Sequence, residues 1–134
     1  MATIFELTVL SSFAAAHRLP EHPCKCRNLH GHTWSVEVTV TGGQIDRSGM
    51  VIDFGVLKTH VNEVVEQLDH RLLNEMSWFD GNAPDRLPTA ENIARCIFRE
   101  VSRRVAGTVP GVAVSLVKVW ESPTSAVAYR EVAE

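Results

Sequence analysis

From Thr33 to Thr41 the chain alternates without exception: Trp34, Val36, Val38 and Val40 are apolar, and their neighbours Thr33, Ser35, Glu37, Thr39 and Thr41 are polar. A period of two marks a half-buried β-strand, and Gly42-Gly43 ends it. Immediately upstream stands His30-Gly31-His32. Side chains at i and i+2 of a strand project from one face, so His30 and His32 aim the same way while Gly31 leaves the other face bare. Two neutral imidazoles converging in this manner commonly hold a transition metal. His17, at the end of an earlier strand-like segment, reaches the same spot if the two strands pair. Three histidines with a fourth position open describe a catalytic zinc rather than a structural one.

The rest of the chain has readable periods. Phe5, Leu7, Val9 and Phe13 predict a first strand over residues 3–15. The turn residues Asp46-Arg47-Ser48-Gly49 lead into Met50-Val51-Ile52-Asp53-Phe54. Phe54, Leu57, Val61, Val64, Val65 and Leu68 then fall at helical spacing, with Asp53 as N-cap. Residues 74–88, with Gly81, Asn82, Pro84 and Pro88, read as a loop. Thr89 caps a second helix with Ile93, Ile97, Val101 and Val105 as its apolar stripe, and Glu91 in the first turn suits the helix dipole. Residues 112–121 and 125–132 predict two further strands around Ser122-Pro123-Thr124.

The order β-β-α-α-β-β makes an α+β domain spanning residues 1–134, with a four-stranded antiparallel sheet and two helices on one face. Read as a regular strand, the fourth puts Val112, Val114, Leu116 and Trp120 on one face and Val117 and Val119 on the other. A sheet apolar on both faces, with open edges, calls for a second cover, which a homo-oligomer supplies.

Composition limits the function. With 45% hydrophobic and 22% charged residues the chain is an ordinary globular one. A formal net charge of −3 and the lack of a basic stripe give no support to nucleic-acid binding. No apolar run approaches the roughly 18 residues of a membrane span. The N-terminal Met1-Ala2-Thr3-Ile4-Phe5-Glu6 has no signal-peptide pattern, and three cysteines argue against a disulfide framework. A cytoplasmic location is the expectation. Arg18, Lys25 and Arg27 flank the histidine cluster as candidates for an anionic ligand; singly, each reads as a solvated loop charge.

Four further elements carry chemistry. Beside a metal, Cys26 would ligate it or act as base or nucleophile, and Cys24 offers a competing thiol two residues earlier. Cys96, inside the second helix, reads as a small buried apolar residue. Asp69-His70 is either a charged helix terminus or a dyad in which the carboxylate fixes the imidazole tautomer. A direct bond between these neighbours requires the helix to end there. Glu121 is either a solvent-facing strand end or a carboxylate that accepts two parallel N–H bonds from a guanidine-like edge.

Taken together, Phe13-Ala14-Ala15-Ala16-His17-Arg18-Leu19, Cys26-x-x-x-His30-Gly31-His32, Gly49-Met50-Val51-Ile52-Asp53-Phe54, Leu68-Asp69-His70, Pro88-Thr89-Ala90-Glu91-Asn92 and Glu121-Ser122 extend over nearly the whole chain. In this order they resemble the 6-pyruvoyltetrahydropterin synthase/6-carboxytetrahydropterin synthase family. The resemblance implies a tunnelling fold whose sheets join in threes into a barrel, with two trimers stacked as a homohexamer and active sites between subunits. It implies one Zn²⁺ per subunit on His17, His30 and His32, Cys26 as catalytic base, Asp69 and His70 as its supporting dyad, Glu121 as pterin anchor and Thr89 in the pterin pocket. Cys24 stands where a histidine is often found in the family.

The three-residue gap between Cys26 and His30 resembles the bacterial branch serving queuosine and related 7-deazaguanine synthesis. The implied reaction is a zinc-dependent lyase reaction on 7,8-dihydroneopterin triphosphate. It yields 6-carboxy-5,6,7,8-tetrahydropterin, triphosphate and acetaldehyde. The alternative is triphosphate elimination from the same substrate to 6-pyruvoyltetrahydropterin. A non-enzymatic zinc- or pterin-binding module is a third reading, in which Cys26 would be dispensable.

Overall fold

Strand pairing in the computed structural model, which describes residues 1–133, is dominated by one long ladder. Strand β1 (Phe5–His17) and strand β2 (His30–Gly42) are antiparallel, and their register runs unbroken from Phe5 opposite Gly42 to His17 opposite His30. Helix α1 (Phe54–Val65) follows, then a two-residue strand β3 (Arg71–Leu72), helix α2 (Ala90–Ala106), strand β4 (Ala113–Ser122) and strand β5 (Ser125–Tyr129). The sheet order is β3-β1-β2-β4-β5. The expected α+β architecture is present.

Both helices lie on one face. Helix α1 packs on β1, and α2 packs on β4 and β5. Leu57, Val61, Val64 and Val65 of α1 and Ile93, Ile97, Val101 and Val105 of α2 are buried against Val9, Phe13, Trp34, Val36, Val38, Val117 and Val119. Both predicted caps form. The Asp53 carboxylate accepts from the Gly55 and Val56 N–H groups, and the Thr89 hydroxyl accepts from the Asn92 N–H. No helix among the described residues is long and apolar enough to cross a membrane.

Four features depart from the sequence reading. The sheet has a fifth strand, because Arg71 and Leu72 pair in parallel with Ala15 and Ala16. Helix α1 ends at Val65, and residues 66–70 form a turn that still buries Leu68. The last strand stops at Tyr129 rather than residue 132. The face assignment of the fourth strand is corrected by a β-bulge, since Thr39 pairs with Leu116 while Val40 pairs with Val114.

The extra residue, Ser115, switches the parity. Val112 and Val114 therefore join Val117 and Val119 beneath the helices, and Leu116 and Trp120 lie on the opposite face with Lys118. Apart from Leu10, Leu116 and Trp120, that opposite face is mostly polar. The Thr8 and Thr39 hydroxyls bond at 2.7 Å, and the Trp120 indole N–H donates to the Glu37 carboxylate at 2.6 Å.

Burial ranks the contributions of two residues on α1. Leu57 is fully buried, whereas Asp53 is an exposed cap. Leu57→Ala should cost about 2–5 kcal/mol through a core cavity. Asp53→Ala should cost only about 0.5–2 kcal/mol. Denaturant unfolding of the two variants checks this, and equal losses would contradict the packing described.

Candidate metal centre and its surroundings

The β1–β2 register creates the centre. Residues directly opposite in an antiparallel pair share a face, so His17, the last residue of β1, lies beside His30, the first residue of β2. His32 follows two residues on, with its side chain on the same face. The three rings meet edge to face, with centroids 4.6 Å (His17–His30), 5.3 Å (His17–His32) and 4.8 Å (His30–His32) apart. One nitrogen from each lies within 4.8 Å of the other two. Trp34 forms the floor, its ring 5.1 Å from His17 and 5.2 Å from His32, and Phe13 stacks beneath it.

Hydrogen bonding sets the tautomers. His17 Nδ1 lies 2.7 Å from the Pro88 carbonyl oxygen, and His30 Nδ1 lies 2.7 Å from the Asn28 carbonyl oxygen. A carbonyl only accepts, so each Nδ1 carries the proton and each Nε2 offers a lone pair. His17 Nε2 and His32 Nε2 are buried without a hydrogen-bond partner among the described residues. An unpartnered buried nitrogen is costly, and a metal ion would satisfy both at once.

Burial is also the largest influence holding His17 and His32 below the ordinary imidazole value of 6.5. The neighbouring His30 ring pushes both the same way. The Pro88 carbonyl and the Glu121 carboxylate oppose the shift at His17, and Glu121 opposes it at His32. Neutral imidazoles are the ligand form. The donor set therefore fits a metal of the zinc type.

The segment between β1 and β2 carries the thiols. Its two ends are tied where the Leu19 N–H donates to the Cys26 carbonyl at 2.9 Å. Cys26 sits half-buried on a single 3₁₀ turn (Lys25–Arg27), while Cys24 before it is exposed. Arg18, Lys25 and Arg27 are exposed around them. Cys96 is half-buried on α2, where desolvation raises its thiol pKa and makes it a poor nucleophile.

Asp69 and His70 do form a direct pair, because α1 has ended and the backbone turns. His70 has φ +59°, the only positive φ outside glycine among the described residues. This left-handed residue lets sequence neighbours face each other, with His70 Nδ1 2.8 Å from Asp69 Oδ2. Ala14 holds the turn from both sides. Its N–H donates to Asp69 Oδ1 at 2.8 Å, and its carbonyl accepts from the His70 N–H at 2.6 Å. Strand β3 then continues the pairing along Ala15 and Ala16. The Ala14 N–H, followed by the His70 ring, holds the Asp69 carboxyl below its usual range.

Glu121, near the end of β4, brings Oε1 to 3.8 Å from His32 Nε2. It lines a cleft of about 540 Å³ with His32, Thr33, Ser35, Trp120, Ser122 and Pro123. A shallower cleft of about 600 Å³ on the other side of His32 runs past Ala14–Ala16 to His70 and Leu72. His32 thus borders both spaces. Thr89 lies at the N-terminus of α2, where its oxygen accepts from Asn92 and its hydroxyl proton remains available to donate.

Sequence reasoning missed the groups that orient the histidines. The Pro88 and Asn28 carbonyls are backbone atoms without a residue signature. Asn74 is another omission: its amide accepts from the Arg18 N–H and donates to the Arg18 carbonyl, both at 2.9 Å. It thereby fixes the chain just after His17. An amide-bearing residue in a loop was the one available signal.

Comparison with known proteins identifies the family and the fold. The family model for 6-pyruvoyl tetrahydropterin synthase matches residues 6–132. A Synechocystis protein named 6-carboxy-5,6,7,8-tetrahydropterin synthase is 42% identical over 123 residues, covering 88% of this chain and 87% of its own. A Bacillus subtilis protein of the same name is 36% identical over 127 residues, covering 94% of this chain and 85% of its own. The solved 6-pyruvoyl tetrahydropterin synthase of Caenorhabditis elegans superimposes with a TM-score of 0.81 at 28% identity, over 98% of both chains. The fold is that of these proteins, and the chain belongs to the 6-pyruvoyl tetrahydropterin synthase family.

Proposed function

We propose that this chain is a zinc-dependent lyase that converts 7,8-dihydroneopterin triphosphate to 6-carboxy-5,6,7,8-tetrahydropterin, with release of triphosphate and acetaldehyde. The observation that carries the reading is the trio of converging imidazoles, two with their tautomer set by a backbone carbonyl and two with a buried, unpartnered Nε2. The choice of product is supported by the relatives at 42% and 36% identity, both named for the carboxy product. The three-residue gap between Cys26 and His30 supports the same branch. The likeness to the worm enzyme, named for the pyruvoyl product, keeps triphosphate elimination as the second reading.

His17, His30 and His32 would hold the zinc, which when bound supplies Lewis acidity to the two adjacent side-chain hydroxyls of the substrate. Glu121 is the pterin anchor: its carboxylate accepts two N–H bonds from the 2-amino and N3 edge, inside a cleft whose volume suits a bicyclic ligand. Cys26 moves a proton at the substrate side chain. His70 exchanges protons with the thiol or a hydroxyl through Nε2, because Asp69 holds the proton of its ring on Nδ1. Thr89 contributes a hydroxyl donor at the pterin pocket. The functional unit in this reading is a homohexamer, two stacked trimers with the polar sheet face lining a barrel, acting in the cytoplasm in queuosine-type 7-deazaguanine synthesis.

Product analysis is the first test. Incubation with dihydroneopterin triphosphate should release acetaldehyde in step with turnover; a pyruvoyl product without acetaldehyde sinks the carboxy reading. Substitution separates the roles. Cys26→Ala should lower turnover by roughly 10²–10⁴-fold with zinc retained, and His30→Ala should lose the metal; zinc held stoichiometrically by His30→Ala refutes the ligand set.

Acidity supplies a further check. Protons compete with the metal for imidazole lone pairs. With His17 and His32 shifted below 6.5, zinc should be retained through neutrality and released as the pH falls beneath that value. Metal content after dialysis across a pH series measures this. Retention independent of pH down to the carboxylate range contradicts ligation by histidine.

A further inference from the structure

We propose that Asn92 is a positioning residue for the metal centre: by fixing the loop at residues 84–88 it aims the Pro88 carbonyl at His17 and so presents His17 Nε2 to a metal ion. The inference rests on the reading of His17 as a ligand. Asn92 lies in the first turn of α2 and is 5% exposed, a rare place for an amide. Its two amide hydrogens go to the Pro84 carbonyl at 2.8 Å and the Leu87 carbonyl at 2.9 Å. Its backbone N–H goes to the Thr89 hydroxyl at 3.2 Å. The Thr89 N–H in turn donates to the Leu87 carbonyl at 2.9 Å.

Both neighbours of Pro88 are therefore held by Asn92, one directly through its carbonyl and the other through its hydroxyl. Pro88 has no N–H of its own, and its ring restricts the conformation of Leu87. The direction of the Pro88 carbonyl is thus set by the two residues that Asn92 holds. That carbonyl is the only hydrogen-bond partner of the His17 ring among the described residues, at 2.7 Å.

His17 is fully buried, so a carbonyl that swings away cannot be replaced by bulk water. The ring would then lose the contact that keeps its proton on Nδ1. Helix capping does not account for the Asn92 side chain. Thr89 already caps α2, and the Asn92 amide points back into the loop, to carbonyls outside the helix. Groups that orient a ligating histidine typically change metal affinity 10–100-fold when removed.

The test uses the full chain stripped of metal by a chelator and titrated with Zn²⁺ against a chromophoric competitor. Asn92→Asp keeps the size but has no amide donors, and it places a carboxylate against two carbonyls. Its zinc affinity should fall by about 10–100-fold. Ile97→Val, a trim of the core on the same helix, controls for lost stability and should bind as the wild type does. Asn92→Asp binding within about twofold of wild type overturns the proposal, as does an equal loss in Ile97→Val.

Should Asn92→Asp fail to fold, Asn92→Ser, which can satisfy at most one of the two carbonyls, is read by the same criterion. ¹⁵N NMR of the metal-free wild type adds a measurement independent of any variant. His17 should show one tautomer, with a slowly exchanging Nδ1 proton, and a mixture of tautomers overturns the proposal. Failure of the wild type itself to bind zinc would instead overturn the metal centre from which the proposal starts.

Discussion

The register between β1 and β2 is the constraint on which the centre depends. With His17 opposite His30, the side-chain period of two delivers three imidazoles to one end of one face. A slip of one residue would turn one strand's histidines toward the opposite face and its apolar residues toward water. The same register is secured far from the site, where Val9 and Val38 pair beneath the helices. Burial of the common face is thus what aligns the three histidines. The candidate centre and the core packing rest on one pairing.

Around that pairing, local backbone carbonyls and short polar contacts turn proximity into chemistry. Pro88 arrives from the loop before α2 and Asn28 from the segment before β2, and each holds a proton on Nδ1 of a histidine. The Asp69–His70 pair reaches the same end of the sheet because α1 stops early and β3 attaches the following residues to β1. The left-handed conformation at His70 has a cost of order 1–3 kcal/mol, offset locally by two hydrogen bonds of the Ala14 backbone, one donated to the Asp69 carboxylate and one accepted from the His70 N–H. Sheet, loop and turn all converge on β1 within a few residues of His17.

Much of this was legible from residue order. Strict alternation around Trp34 identifies β2, and the i, i+2 spacing of His30 and His32 is enough to bring two imidazoles to one face. Asp53 and Thr89 were readable as caps because their side chains act on their own next few residues. What escaped is non-local or lacks a side-chain signature. The Ser115 bulge arises from pairing with Thr39 and Val40, so a regular strand was the natural reading, and it put Val112 and Val114 on the wrong face. Strand β3 is two residues long and exists only because Ala15 and Ala16 offer an edge. The Pro88 and Asn28 carbonyls belong to the backbone, which every residue carries.

Three imidazoles form the candidate centre without a thiol, and the half-buried Cys26 and the exposed Cys24 belong to the segment that joins its two strands. In the proposed reaction a thiol left free of the metal is the group that moves a proton, so the proposed ligand set and the proposed reaction are one claim. X-ray absorption at the zinc edge of the metal-loaded protein tests that claim most directly. Three imidazole nitrogens at about 2.0–2.1 Å, completed by an oxygen, are predicted. A sulfur shell at about 2.3 Å would place a cysteine on the metal and contradict the account.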